Sequence, residues 1–157
     1  MTNPVLGIIG GGQLGSMLAQ AAKKIKIKTI IFSDDVEAPA KNFAEEFIFG
    51  KYNDNEKIKE FVNKVDIVTL EFENIPYETL NNIKKLKNIL PDPEIIKIVQ
   101  NRFLEKEFIK KVDIVTLEFE NIPYETLNNI KKLKNILPDP EIIKIVQNRF
   151  LEKEFIN

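Results

Sequence analysis

An α/β fold, with helices on both faces of a parallel sheet, follows from three observations on this sequence of 157 residues. Short apolar runs alternate with stretches of helical periodicity, turn-forming residues close each run, and the first run ends in Gly10-Gly11-Gly12 immediately before a helical stripe. Strands that alternate with helices pair in parallel, and right-handed crossovers then give a Rossmann-like layout.

Val5-Leu6-Gly7-Ile8-Ile9 is short and apolar, as a buried strand requires, and the glycines stop it. Leu14, Met17, Leu18, Ala21 and Ala22 recur at helical spacing, an apolar stripe of the kind that faces a core. Ile27 to Phe32 is mostly β-branched and apolar, a second strand ending at Ser33-Asp34-Asp35. Pro39 opens a weak helical stretch, and Phe47-Ile48-Phe49 is a third strand before Gly50. Asn55 to Asn63 is an amphipathic helix on Ile58, Phe61 and Val62, and Val65 to Phe72 is the fourth strand. Pro76 falls in the first turn of the next helix, where its missing N–H is harmless, and Leu80, Ile83 and Leu86 form the stripe. Ile89-Leu90 is a fifth strand. Asp92-Pro93-Glu94 then supplies an N-cap, a proline at the first helical position and an acid at the positive helix end. The helix it opens is expected to run through Ile95, Val99, Phe103 and Phe108. Phe43, Phe47, Phe49, Phe61 and Phe72 read as core rather than as a base-stacking platform, because they are not grouped with basic residues.

Lys64 to Ile109 recurs without one difference as Lys111 to Ile156. Solenoid repeats keep their packing positions and drift elsewhere, whereas here the polar lysines and asparagines are identical too. That pattern fits a recent duplication, an engineered one, or an error in the gene. Phe61-Val62-Asn63-Lys64 and Phe108-Ile109-Lys110-Lys111 nearly match where the copies start, as slippage would leave them. Residues 1–110 are therefore expected to make one Rossmann-like domain, and 111–157 a duplicated β-α-β-α unit that is no independent domain. The first copy has the shorter connection and is expected to dock, although doubling a loop costs only about 0.6 kcal/mol. The second, with apolar Ile114, Val115 and Leu117 and an unpaired edge, should extend the sheet, swap into a neighbour, or stay partly disordered and promote aggregation, and loose packing is expected of it. A homodimer or domain-swapped dimer is one outcome.

Lys and Arg number 23 against 24 Asp and Glu, a net charge of -1, so no basic field argues for nucleic acid or an anionic membrane. The absence of cysteine and histidine excludes disulfides, thiolate nucleophiles, a Ser-His-Asp triad and His or Cys metal clusters. No apolar run reaches the ~18 residues that span a bilayer. Met1-Thr2-Asn3-Pro4 lacks the basic start of a signal peptide, so a cytoplasmic protein is expected.

Gly10-Gly11-Gly12-Gln13-Leu14-Gly15 fits G-x-G-x-x-G between a strand and a helix, where backbone N–H groups approach an anion. Asp34 or Asp35 lies about 20 residues on, as a ribose-binding acid would. Taken alone this describes a dinucleotide site, or a loop that serves only tight strand–helix packing. Glu71 and Glu73 flank Phe72 at the carboxyl end of the fourth strand, the edge where ligands of open parallel sheets bind; capping the next helix is the alternative. Arg102 recurs at Arg149. Its planar fork suits phosphate or carboxylate, and an ion pair with Glu105 is its other use.

In order and spacing, Leu6 to Leu18 (through the triglycine and Gln13-Leu14-Gly15), Ala38-Pro39-Ala40, Asp66 to Pro76, Gln100-Asn101-Arg102 and Glu105-Lys106 resemble the N-terminal region of 5-(carboxyamino)imidazole ribonucleotide synthase. This is the ATPase subunit of phosphoribosylaminoimidazole carboxylase, an ATP-grasp enzyme family. The resemblance covers residues 4–109. It implies a pre-ATP-grasp domain and a purine-pathway ligase that uses ATP, Mg²⁺ and bicarbonate to carboxylate the exocyclic amine of aminoimidazole ribonucleotide, through carboxyphosphate. It further implies that Gly12, Gln13, Leu14 and Glu71 lie against the ribonucleotide and Arg102 at the edge of the ATP site, with Glu118 and Arg149 as duplicate equivalents. Ser16 departs from an arginine often found there. Where the family continues into its ATP-grasp domain, this chain returns to Lys111-Val112-Asp113. Phosphoryl transfer depends on positioned cations and metal, so the chain alone is expected to be inactive, with no cofactor of its own. An NAD(P)-binding module, resting on the glycine loop and Asp34, and a non-catalytic remnant or engineered duplication are the competing readings.

Overall fold

The computed structural model describes residues 4–118 and 121–156. They fall into two units, Met1–Asn101 and Arg102–Asn157. In the first, the order is β1 (Val5–Ile9), α1 (Gln13–Lys24), β2 (Lys28–Ser33), a 3₁₀ turn (Pro39–Asn42), β3 (Glu46–Phe49), α2 (Asn55–Asn63), β4 (Ile67–Leu70), α3 (Tyr77–Lys84), β5 (Asn88–Leu90) and α4 (Pro93–Val99). The five strands form one parallel sheet in the order β3-β2-β1-β4-β5, in which Gly7 of β1 stands between Ile30 and Val68. The expected α/β architecture is borne out.

Alternation along each strand divides the core between two faces. On one, Ile9, Ile30, Phe32 and Val68 pack against Ile58, Phe61 and Val62 of α2, Leu80 and Ile83 of α3 and Ile96 of α4. Phe61 is fully buried and stacks on Phe32 at 5.5 Å between ring centroids. On the other, Ile8 and Ile31 meet Ala19 of α1 and Ala40 of the 3₁₀ turn. Asp54 caps α2 through the N–H groups of Glu56 and Lys57, and Asp92 caps α4 through that of Glu94. No helix among the described residues is long and apolar enough to cross a membrane.

Four expectations are corrected. Most of the α1 stripe faces outward: Leu14, Met17 and Leu18 are 58%, 57% and 39% exposed, and of the expected residues only Ala22 faces the sheet, beside Gly15, Ser16 and Ala19. The sheet face beneath is already filled by Ile8, Ile31, Leu6 and Phe47, so only small residues fit. The fourth strand is shorter than Val65 to Phe72, and the single helix expected through Phe108 breaks after Val99. There the Gln100 side chain turns back, its Nε2 donating to the carbonyls of Glu73 at 2.5 Å and Ile75 at 2.8 Å. Lastly, Phe43 and Phe49 are exposed, not core.

The second unit contains α5 (Arg102–Ile109), β6 (Ile114–Thr116), α6 (Tyr124–Lys131), β7 (Asn135–Leu137), α7 (Pro140–Val146) and α8 (Arg149–Ile156). β6 and β7 pair in parallel as a separate two-stranded sheet, with Val115 opposite Ile136 as Val68 is opposite Ile89. The first copy thus holds the five-stranded sheet. Local contacts are reproduced: Tyr124 donates to Glu141 as Tyr77 does to Glu94, and Lys144 covers the Tyr124 ring as Lys97 covers Tyr77. A cleft of about 520 Å³ lies between α5 and α6, with Lys106, Asn129 and Leu133 in its lining. The matching cleft of the first unit, about 320 Å³, lies between α2 and α3 and is lined by Lys59, Asn82 and Leu86. Helix α5 therefore stands to α6 as α2 stands to α3.

Candidate functional site

The turn after β1 is built from backbone hydrogen bonds. Gly10 N–H donates to the Phe32 carbonyl at 2.9 Å, at φ +102°, a conformation L side chains rarely adopt. The Gly11 carbonyl accepts from Ala40 N–H at 3.0 Å. Gly12 is the N-cap of α1 without a side chain to close it; its carbonyl accepts from the N–H and the Oγ–H of Ser16, each at 3.0 Å.

Glu71 follows β4 and continues its pairing, its N–H donating to the Ile9 carbonyl at 2.9 Å. That places its carboxylate over the turn, where Oε2 accepts from Gly12 N–H at 3.1 Å. A Cβ on residue 12 would stand 2.6 Å from Glu71 Oε1, so glycine is what lets the acid approach. The carboxylate thus occupies an open donor at the positive end of α1, where a negative charge is favoured by about 0.3–1 kcal/mol. A second anion would be repelled from the same point. The loop therefore does not suit a dinucleotide pyrophosphate.

Gln13 and Leu14 form the exposed first turn of α1 beside Gly12. Leu14, Met17, Leu18, Ala21, Leu70 and Glu71 line an open cleft of about 410 Å³. The rim combines one carboxylate with an apolar floor, and no lysine or arginine lines that cleft.

Other predicted residues lie elsewhere. Glu73 is exposed, and the strand ends at Leu70 before alternation can pair it with Glu71. Asp34 is exposed, and Asp35 Oδ1 is engaged with Glu37 N–H at 2.9 Å. Nearby, burial pushes the Tyr52 hydroxyl up to about 12, partly offset by a hydrogen bond with Ser33. Arg102 is exposed at the start of α5, and no ion pair joins it to Glu105 among the described residues. Glu118 follows β6 and Arg149 opens α8, both exposed, in a unit whose sequence contains no glycine. Sequence reasoning missed the Ser16 hydroxyl, whose only signal is its place one turn after Gly12, and the clamp made by Gln100. Among the described residues no group of three His, Cys, Asp or Glu side chains is placed to hold a metal ion.

The ribonucleotide synthetase preATP-grasp domain model matches residues 3–100 and 102–147. The chain belongs to this family. The preATP-grasp assignment is supported by N5-carboxyaminoimidazole ribonucleotide synthase of Staphylococcus haemolyticus (strain JCSC1435), 43% identical over 101 residues, which are 64% of this chain and 27% of that protein. The N5-carboxyaminoimidazole synthetase of Staphylococcus aureus, complexed with ADP, superposes with a TM-score of 0.66 at 32% identity, over 82% of this chain and 35% of that one. The Aspergillus clavatus N5-carboxyaminoimidazole synthase, in complex with ADP and 5-aminoimidazole ribonucleotide, has a TM-score of 0.64 at 26% identity, over 83% and 36% of the two chains. The preATP-grasp chain spans 27% of the curated relative's length. The resemblance read from the sequence is borne out, and the dinucleotide alternative is not favoured.

Proposed function

We propose that the carboxyl rim of the first unit binds the sugar and base of 5-aminoimidazole ribonucleotide, as the substrate side of an ATP- and bicarbonate-dependent ligase of purine biosynthesis. In the net reaction the exocyclic amine loses a proton and gains a carboxylate from bicarbonate, while ATP becomes ADP and phosphate. The observation that carries this reading is the Glu71 carboxylate held on Gly12 N–H. With Oε2 engaged there, Oε1 is left to accept from a ribose hydroxyl. The charge of Glu71 turns the phosphate of the ligand away from α1. Gln13 adds an amide at the same edge, and Leu14 with Leu70 supplies apolar area for the flat base.

Arg102, exposed at the start of α5, is the candidate contact for an ATP phosphate, with Arg149 as its duplicate. The test is melting of the purified chain with each ligand. A ligand at 100 times its Kd stabilises by about 2.7 kcal/mol, so the ribonucleotide should raise Tm and NAD should not. A shift with NAD alone would overturn the reading.

A further inference from the structure

The first copy buries Val65, Val68, Ile75, Thr79 and Ile83 to 6% exposure or less. Val68 stands opposite Gly7 of β1, and Thr79 Oγ1 donates to the Tyr52 carbonyl at 2.5 Å. In the second unit the identical Val112, Val115, Ile122 and Ile130 are only half-buried and Thr126 is exposed. Ile114, the equivalent of Ile67 that pairs with Leu6, is 55% exposed, and among the described residues β6 pairs with β7 alone. Leu127, Ile136 and Ile143 stay buried, as do Leu80, Ile89 and Ile96. The repeated segment therefore closes on itself through three residues. It presents to its surroundings an apolar face and an open strand edge, and the surface that fits both is the one β1 and α2 offer the first copy.

We infer that residues 111–146 exchange with residues 64–99 on β1 and α2 of the same chain, giving two interconvertible arrangements of one five-stranded sheet. Helix α2 stays in place, because α5 carries Glu105 where α2 buries Ile58. In the exchanged form Glu118 arrives at Gly12 N–H in place of Glu71. The longer connection from Asn63 makes this the minor form, on the order of one molecule in fifty.

The test uses the full chain, which has no native cysteine. Val68→Asp puts an unpaired charge at a fully buried position and ejects the first copy. Exchange predicts that Val68→Asp and Val115→Asp each keep a cooperative unfolding transition by circular dichroism, while the double variant loses it. Under mild oxidation the Leu6→Cys/Ile67→Cys pair should close first, and Leu6→Cys/Ile114→Cys roughly fiftyfold more slowly, in proportion to the population of the exchanged form. Adding Val68→Asp should bring the second pair to the rate of the first, with the product running as monomers on a denaturing gel. Exchange is refuted if Val68→Asp behaves like the double variant, if the Leu6→Cys/Ile114→Cys pair never closes, or if it closes only between chains. No readout involves a ligand, so failure of the ribonucleotide reading would leave this result standing.

Discussion

Replacing Gly12 by alanine separates the site from the fold. The backbone of residue 12 sits at φ −72° and ψ −160°, open to any L residue, so the substitution introduces no strain. Its methyl group would stand 2.6 Å from Glu71 Oε1 and 3.3 Å from Oε2, and the flexible carboxylate must swing away. The lost hydrogen bond to a charged acceptor is worth about 1.5 kcal/mol at this half-buried position, and reduced chain entropy in the unfolded state returns about 0.4–1 kcal/mol. The net loss, under about 1 kcal/mol, lowers Tm by at most roughly 4–8 °C for a unit of this size. Gly12→Ala should therefore stay folded by circular dichroism yet bind the ribonucleotide roughly tenfold more weakly by calorimetry, since Glu71 is no longer held in place. Gly10→Ala should be the more destabilised variant, because φ +102° adds strain of about 1–3 kcal/mol to contacts of 2.6 Å with Glu71 and 2.9 Å with Phe72. Native affinity in Gly12→Ala would show that binding does not depend on Gly12 holding Glu71, and a lower Tm than Gly10→Ala would show that strain at residue 10 is not the larger cost.

Thr79→Val should cost about 1–2 kcal/mol because the Tyr52 carbonyl is left buried and unpaired, whereas Thr126→Val, in identical sequence but exposed, should stay within about 0.5 kcal/mol in chemical denaturation. Asp54→Ala removes the cap from two N–H groups of α2 and should lower stability by about 1 kcal/mol in the same assay. Absorbance titration at alkaline pH should show Tyr52 ionising at about 12. Since that value is raised above the unfolded one, its contribution is complete below about pH 10 and lost as pH rises towards 12. Tyr52→Phe should abolish that part of the alkaline unfolding. The purified chain should release no ADP from ATP in response to ribonucleotide and bicarbonate, and release above background would show that the rim without added cations suffices.

Where a structural element depends on neighbours in sequence, the sequence displayed it. Asn55–Asn63 begins and ends as expected because Asp54 caps it and Ile58, Phe61 and Val62 repeat on one face. Likewise Asp92 and Pro93 mark the start of α4, as Asp139 and Pro140 mark that of α7. Periodicity could not tell which stripe of α1 meets the sheet, since Gly15-Ser16-Ala19-Ala22 recurs as regularly as Leu14-Met17-Leu18-Ala21. The choice is made by the bulk of Ile8 and Ile31 across the interface. Nor could local pattern foresee the break after α4, which rests on Gln100 reaching back some 25 residues to Ile75. At the candidate site, chain order brought Gly12 and Glu71 to one rim in the reading and in the structure alike. What went unread was that Glu71 takes up the Gly12 N–H, a fact of three-dimensional proximity that also turns the loop away from phosphates.

A sheet that can draw its last two strands from either of two identical stretches tolerates lesions unevenly. Damage in either stretch leaves an undamaged template, so single mutations there would be masked in a screen for folding. The unduplicated β1, α1, β2, β3 and α2 have no such understudy. Loss-of-fold mutations should therefore gather among them.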